Sequence, residues 1–358
     1  MLHPAYTFVA DDAQPAVAPG RLSGWSIPIK EGTDVAGMPT TKGNPARTYM
    51  ARETDPIAQA LLDAGANIPA KTLMSELGAT CYAERPDVPV LESPAYPGCT
   101  PGGSSTGAAV VVADGTARAA HGTDAGGSIR VPAAACEVVG VKLASRKLAA
   151  HGFFTTSVAD QLTLLGWELP AYRRLRVGLL TTGIFSPVNP SDRRGALVER
   201  AASVLSRHHD VVEIAPYAES LETYEHFTTI ITRSFTGIDP LDNGYIAWLV
   251  EEAGRITPSQ VSAALAHHQL LPELLARQWG VDVVLSPTLS DDPPALGYFP
   301  SLTPEESFHA QTRWSPWCSL FNMTGAPAVA LGGIHLGAIN ASGPELLAVA
   351  GVVEKQLL

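Results

Sequence analysis

Apolar positions along this chain recur with two spacings, and each change of spacing marks an element. Val and Ile runs of four to six residues read as strands, and apolar positions three or four apart read as helices. A short strand is expected near Tyr6–Ala10, and WSIPIK at 25–30 reads as a strand ending at Lys30, followed by a turn-rich loop. Thr54-Asp55-Pro56 starts a helix whose apolar face is Ile57, Leu61 and Leu62 and whose stop is Gly65. Residues 68–73 read as a short strand, and LMSELG begins a helical turn. SPAYPGCTPGG holds three prolines and does not fit a central strand.

Residues 105–114 read as a buried helix, apolar and small-sided all round. Residues 117–124 read as a strand and 129–136 as a short helix whose start points at Ser128. Further on come a helix at 157–166, a strand at 175–180, an amphipathic helix at 192–209 and a strand at 210–215. That strand–helix–strand order predicts an α/β fold. Residues 217–280 read as helical, with Trp248, Leu249 and Val250 in the core. VDVVLSPT is a buried strand, and residues 344–358 form a last helix. With neither an internal repeat nor a linker, residues 1–358 read as one domain.

Composition supports a large core: of 358 residues, 46% are hydrophobic and 16% charged. The formal net charge of −11 argues against nucleic acid or an anionic membrane as partner. YRRLR at 172–176 is the one basic cluster, read as a solvated element end. Cys81, Cys99, Cys136 and Cys318 have no CxxC pairing and no histidine at zinc spacing, so reduced thiols in a cytoplasmic protein are expected. Cys99, just before a glycine-rich turn, fits packing or a place beside a site. The first residues lack the pattern of a signal peptide, and no apolar run reaches the roughly 18 residues that span a bilayer.

The candidate chemistry lies in two glycine-rich serine clusters, GGSSTG at 102–107 and GTDAGGS at 122–128, on either side of the segment AAVVVADG. A hydroxyl inside such a turn is flanked by unpartnered backbone N–H groups, which suits a nucleophile and its oxyanion donors. These clusters resemble the core of the amidase signature family. IPIKEGTDVAGMPTTKG at 27–43 resembles that family's lysine segment, and 280–297 and 321–331 resemble its later strand and pocket segments.

The resemblance implies an α/β amidase signature fold, a mixed β-sheet covered by helices on both faces. Its core would span about 24–142, with pocket-completing segments at about 280–331. It also implies a serine amidohydrolase acting on linear amides without cofactor or metal. Ser128 would be the nucleophile, Ser104 a relay on a cis peptide bond and Lys30 the base, and the backbone N–H groups of Ala125, Gly126, Gly127 and Ser128 would form the oxyanion hole. Ser105, Arg130 and Asn322 are the substrate-binding candidates. Arg130 equally fits pairing with a buried acid and Asn322 a turn cap, while Asp124 fits a structural role in the glycine loop. The partner expected is a small-molecule amide, and a homodimer is left open.

Lysine ordinarily titrates near 10.4, so a base at Lys30 needs burial to become neutral. Ile27, Pro28 and Ile29 supply apolar neighbours, and Glu31 opposes them. Taken alone, Lys30 reads as an exposed lysine at a strand end, and Ser104 or Ser105 as a helix cap. His208–His209 and His267–His268 read as solvent-facing pairs, and His121 stands beside the second loop.

Other functions remain to be weighed. GSSTG at 103–107 satisfies G-x-S-x-G, which would make Ser105 the nucleophile of an esterase-like hydrolase. A glycine turn opening a helix suits a phosphate-binding module, but the lysine of that motif is missing. An amidotransferase-type amidase chain needing partner chains is the third alternative. The segment the family carries after Lys142 is short here, which leaves either an open pocket or one completed by a partner.

Overall fold

The computed structural model describes residues 3–357. Its strands are β1 (Tyr6–Gln14), β2 (Ile29–Lys30), β3 (Pro39–Thr40), β4 (Tyr49–Met50), β5 (Ile68–Thr72), β6 (Ala119–Asp124), β7 (Val139–Lys142), β8 (Ala150–Thr155), β9 (Arg176–Leu179), β10 (Asp210–Glu213), β11 (Val283–Pro287), β12 (Ala328–Leu331) and β13 (Ile334–Ala338). Its helices are α1 (Pro56–Asp63), α2 (Thr106–Ala113), α3 (Arg130–Ala135), α4 (Val158–Leu165), α5 (Asp192–Leu205), α6 (Ser220–Arg233), α7 (Gly244–Arg255), α8 (Pro258–Trp279), α9 (Pro304–Trp314), α10 (Leu320–Met323) and α11 (Gly343–Leu357).

An eight-stranded sheet runs in the order β10-β9-β11-β13-β12-β7-β8-β6. The β10/β9 and β9/β11 pairs are parallel, and the remaining pairs are antiparallel. Successive side chains leave a strand on opposite faces. Val283, Leu285, Val329, Leu331 and Leu336 therefore meet Val198 of α5, Val158 of α4 and Leu346 and Val353 of α11 on one face. Val284 and Ala328 turn the other way, towards Phe227 of α6, Leu271 and Leu275 of α8 and Phe321 of α10. Helices cover both faces of a mixed sheet, the architecture the sequence implied. A smaller sheet, β1-β5-β2, carries Lys30 at the end of its short strand.

Two elements sit unusually close to the large sheet. α2 is buried on every side through Ala108, Ala109, Val110, Val111 and Val112, as its small apolar residues predict. α3 crosses β7 at Gly140, where an added Cβ would stand 2.5 Å from Ala133 Cβ, so only glycine permits the approach.

Several expected elements differ from those observed. Of WSIPIK only Ile29–Lys30 is strand. The 217–280 region is three helices, with breaks at 234–243 and 256–257. Residues 142–154, read as a shortened remnant, hold the β7–β8 turn and most of β8. β8 pairs with β7 and β6 at once, so tertiary pairing decides its conformation over a weak local pattern. Neither serine caps α2 through its side chain. All four cysteines are free, Cys136 and Cys318 buried and Cys81 and Cys99 half-buried. Among the described residues no helix is long and apolar enough to cross a membrane.

Candidate active site

The two glycine-serine clusters and the lysine segment meet at one end of the large sheet. β6 runs into the loop Ala125–Ile129, which opens into α3, and Ser104 and Ser105 immediately precede α2. The Ser105 N–H donates to the Ser128 carbonyl at 3.2 Å, holding the two serine segments side by side. The Gly103–Ser104 peptide is cis.

Lys30 is buried, 1% exposed. Its Nζ lies 2.6 Å from Ser104 Oγ and 2.9 Å from Thr123 Oγ1. Burial lowers its pKa to about 7, against weaker opposing pulls from Asp124 and Glu31. The Glu31 carboxylate accepts from the Thr41 hydroxyl and from the Met74 N–H. His121 stands on the same side of β6 as Thr123, its Nε2 3.0 Å from His151 Nδ1. Burial and the neighbouring His151, Lys30 and Lys71 push its pKa well down, so it adds no cation beside Lys30 at neutral pH.

Asp124 organises the glycine loop. Its carboxylate accepts from the Gly127 N–H at 2.8 Å, the Ile129 N–H at 3.1 Å and Arg130 Nη2 at 2.8 Å. Burial would raise its pKa, but the Arg130 guanidinium and Lys142 more than offset this and hold it well below the ordinary carboxylate range. Gly127 has φ +128, and a Cβ there would meet Cys318 Cβ at 3.0 Å. The Ser128 hydroxyl has no protein partner among the described residues, and neither do the N–H groups of Ala125, Gly126 and Ser128.

Two chambers meet at Ser128, and Ala79, Ala125 and Ile231 line both. The smaller, ≈ 120 Å³, is bounded by Gly126, Val131, Phe227, Tyr245 and Gln311. The larger, ≈ 460 Å³, is bounded by Ser104, Thr123, Lys42, Met74 and Phe235. Among the described residues, Lys42 is the one charged side chain lining either chamber.

Four candidates are corrected. The Gly127 N–H is taken by Asp124 and is not free to meet an oxyanion. Arg130 is fully buried and spends its guanidinium on Asp124, on the Cys318 carbonyl at 2.6 Å, on His335 Nε2 and on Asn322 Oδ1 at 2.7 Å, leaving nothing for a substrate. Asn322, also fully buried, donates to the Asp124 and Leu148 carbonyls. Ser105 is fully buried, donates to the Thr123 carbonyl at 3.1 Å, and follows no strand, so a G-x-S-x-G elbow is not formed. None of the last three lines a chamber.

Sequence reasoning missed Thr123, Cys81, Phe227, Ile231, Tyr245 and Gln311. Thr123 lies inside the GTDAGGS motif and carried a signal. The others come from the loop after β5 and from α6, α7 and α9, and no local pattern marks them. Cys81, rather than Cys99, reaches the cleft; Cys99 bridges to Ala295. The solvent reading of the histidine pairs also fails in part: His209 is buried against Tyr172, and His267 is half-buried.

A mixed sheet that presents a glycine-serine loop to a shared cleft, with a buried lysine behind Ser104, suits a hydrolase on an α/β scaffold. Comparison with known proteins agrees. The family model Amidase matches residues 8–163. A Mycobacterium tuberculosis protein named as an amidase, AmiC, is 28% identical over 87% of this chain and 74% of its own length. Amidase 1 of Arabidopsis thaliana is 30% identical, over 60% of this chain and 51% of its own length. The solved structure of 6-aminohexanoate cyclic dimer hydrolase complexed with substrate superposes with a TM-score of 0.83 over 94% of this chain and 85% of that one, at 23% identity. Over residues 8–163 the chain is similar to the amidase family.

Proposed function

We propose that this hydrolase cleaves the C–N bond of a linear carboxamide through an acyl-enzyme on Ser128, with Ser104 as relay and Lys30 as base. The observation that carries the reading is the buried Lys30 amine, its pKa lowered to about 7, within 2.6 Å of Ser104 Oγ. An amine of that pKa is largely neutral at physiological pH and can accept a proton. The Ser104 hydroxyl both donates and accepts, so it passes the proton of Ser128 to Nζ. The Ser128 hydroxyl makes no hydrogen bond to Ser104 among the described residues, so the mechanism requires that link to form when substrate binds.

Ser128 Oγ then attacks the carbonyl carbon, and the carbonyl oxygen takes the negative charge, facing the free N–H groups of Ala125, Gly126 and Ser128. Losing one such donor typically raises a barrier by about 2.7–4 kcal/mol. The intermediate collapses with cleavage of C–N, and the proton returns from Lys30 through Ser104 to the leaving amine. Water, deprotonated by the same route, releases the acid. The Arg130–Asp124–Asn322 cluster holds the loop from behind.

The side from which the proton returns assigns the chambers. Ser104 borders the larger chamber and not the smaller. The leaving amine therefore occupies the larger and the acyl group the smaller, which favours short acyl chains. Lys42 beside the amine chamber favours neutral or anionic leaving groups over cationic ones. Esters and hydrazides would react through the same acyl-enzyme.

Fluorophosphonate labelling followed by peptide mapping tests the nucleophile. The expected adduct is on Ser128, absent in Ser128→Ala and retained in Ser105→Ala. An adduct on any other serine overturns the assignment.

A further inference from the structure

Away from the cleft, α6 and α8 pack side by side, and their shared edge carries a convergent set of donor atoms. Glu222 and His226 stand one turn apart on α6, where residues at i and i+4 are neighbours. His267 stands on α8. One ligand-capable atom from each of the three lies within 4.8 Å of the other two. We propose that Glu222, His226 and His267 form a binding site for a divalent transition-metal ion of the Zn2+ class, which ties α6 to α8.

The donor set selects the ion. Two imidazoles and one carboxylate suit Zn2+, Co2+ and Ni2+, whereas Ca2+ and Mg2+ want oxygen ligands alone. Three protein ligands leave the fourth position of a tetrahedral ion to water. The spacing within the pair is already suitable, with His226 Nε2 3.4 Å from Glu222 Oε1. The rings of His226 and His267 lie 4.7 Å apart, centroid to centroid. Behind them, the Tyr217 hydroxyl donates to Thr223 Oγ1 at 2.7 Å, and Thr223 Oγ1 lies 2.7 Å from His267 Nε2. Tyr217 is itself buried, so this chain fixes the His267 ring as outer partners fix metal-ligating histidines elsewhere.

Without a metal, a Glu222–His226 helix pair and a His267–Thr223 hydrogen bond account for each ring separately. They do not account for the convergence of all three groups on one point between two helices. No sequence pattern announces the site, because the third ligand comes from another helix.

The position has a consequence for the cleft. Phe227 and Ile231 of α6 line the chambers, and Phe227 follows His226 directly. None of the three ligands does, so the ion acts as a clamp on the substrate wall and takes no part in the chemistry.

The test uses the full chain without an affinity tag, dialysed against chelator. Calorimetric titration with ZnCl2, and titration with CoCl2 followed by visible absorption, should each reveal one bound equivalent and a tetrahedral-type Co2+ spectrum. Saturating Zn2+ should raise the unfolding midpoint, as any ligand of the folded state alone does. His226→Ala and His267→Ala should each weaken binding by about tenfold or more and remove the thermal shift. Their metal-free midpoints serve as the check on folding. His208→Ala should leave binding unchanged. The proposal is overturned by an absence of saturable binding, or by unweakened binding in both His226→Ala and His267→Ala. Both readouts are independent of turnover, so they stand apart from the amidase reading.

Discussion

Among single residues, the site rests on charges taken out of water and then treated in opposite ways. Lys30 is buried without a carboxylate in contact, so desolvation prevails and its pKa falls to about 7. Asp124 is buried against Arg130, so pairing prevails over desolvation and it stays ionised. The first predicts the pH profile: kcat/KM for an amide should rise with pH through about 7, as the lysine loses its proton. Lys30→Met should remove that limb and lower kcat/KM by about 10²–10⁴-fold, the usual worth of a positioned base. The second predicts stability. Asp124→Asn leaves a buried guanidinium without its counter-charge, and breaking such a pair costs about 3–5 kcal/mol, readable as a lower urea midpoint.

Among the elements, the loop between β6 and α3 is set by its anchors and by its glycines. Gly126 faces Phe227, where an added Cβ would stand 3.0 Å from the ring, and Gly127 takes a φ that other residues rarely adopt. α6 closes the cleft opposite this loop, with Phe227 over the smaller chamber. Phe227→Ala should therefore widen the acyl side. Comparing acetyl with bulkier acyl anilides, the preference should shift towards the bulkier by about tenfold or more, the scale of 1–3 kcal/mol attached to apolar fit. An unchanged preference would return the acyl group to the larger chamber.

Across the molecule, the buried lysines make stability depend on pH in an unusual sense. Burial lowers Lys30 and Lys142 to about 7 and Lys71 to about 8 from the ordinary 10.5. Above those values the unfolded chain binds more protons than the folded one, so stability rises with pH. This is the reverse of a lysine that gains a partner on folding. His121 and His335, pushed down by burial, add the same sign at lower pH. Urea midpoints should increase from about pH 6.5 to about pH 8, before the cysteines titrate. Lys142→Met should flatten that increase, and an equal slope in the variant would remove Lys142 from the account.

The elements legible in the amino-acid order are those whose pattern is local: α2 from its small apolar residues, α1 from its cap and proline, β11 from its buried run, and the loop that carries Ser128. Lys30 and Ser104 were singled out only by the family resemblance, since taken alone they read as an exposed lysine and a helix cap, while Asp124 was read as a structural residue of the glycine loop. The rest emerged only on packing. β8 is a strand because β6 and β7 offer it partners, and Arg130 is structural because Asp124, Asn322 and Cys318 surround it. The substrate walls come from α6, α7 and α9, whose cleft-facing residues look like ordinary core positions. The reason is physical: backbone preference acts over a few neighbouring residues, whereas desolvation, charge pairing and cavity shape depend on groups far apart along the chain, brought together only when it folds.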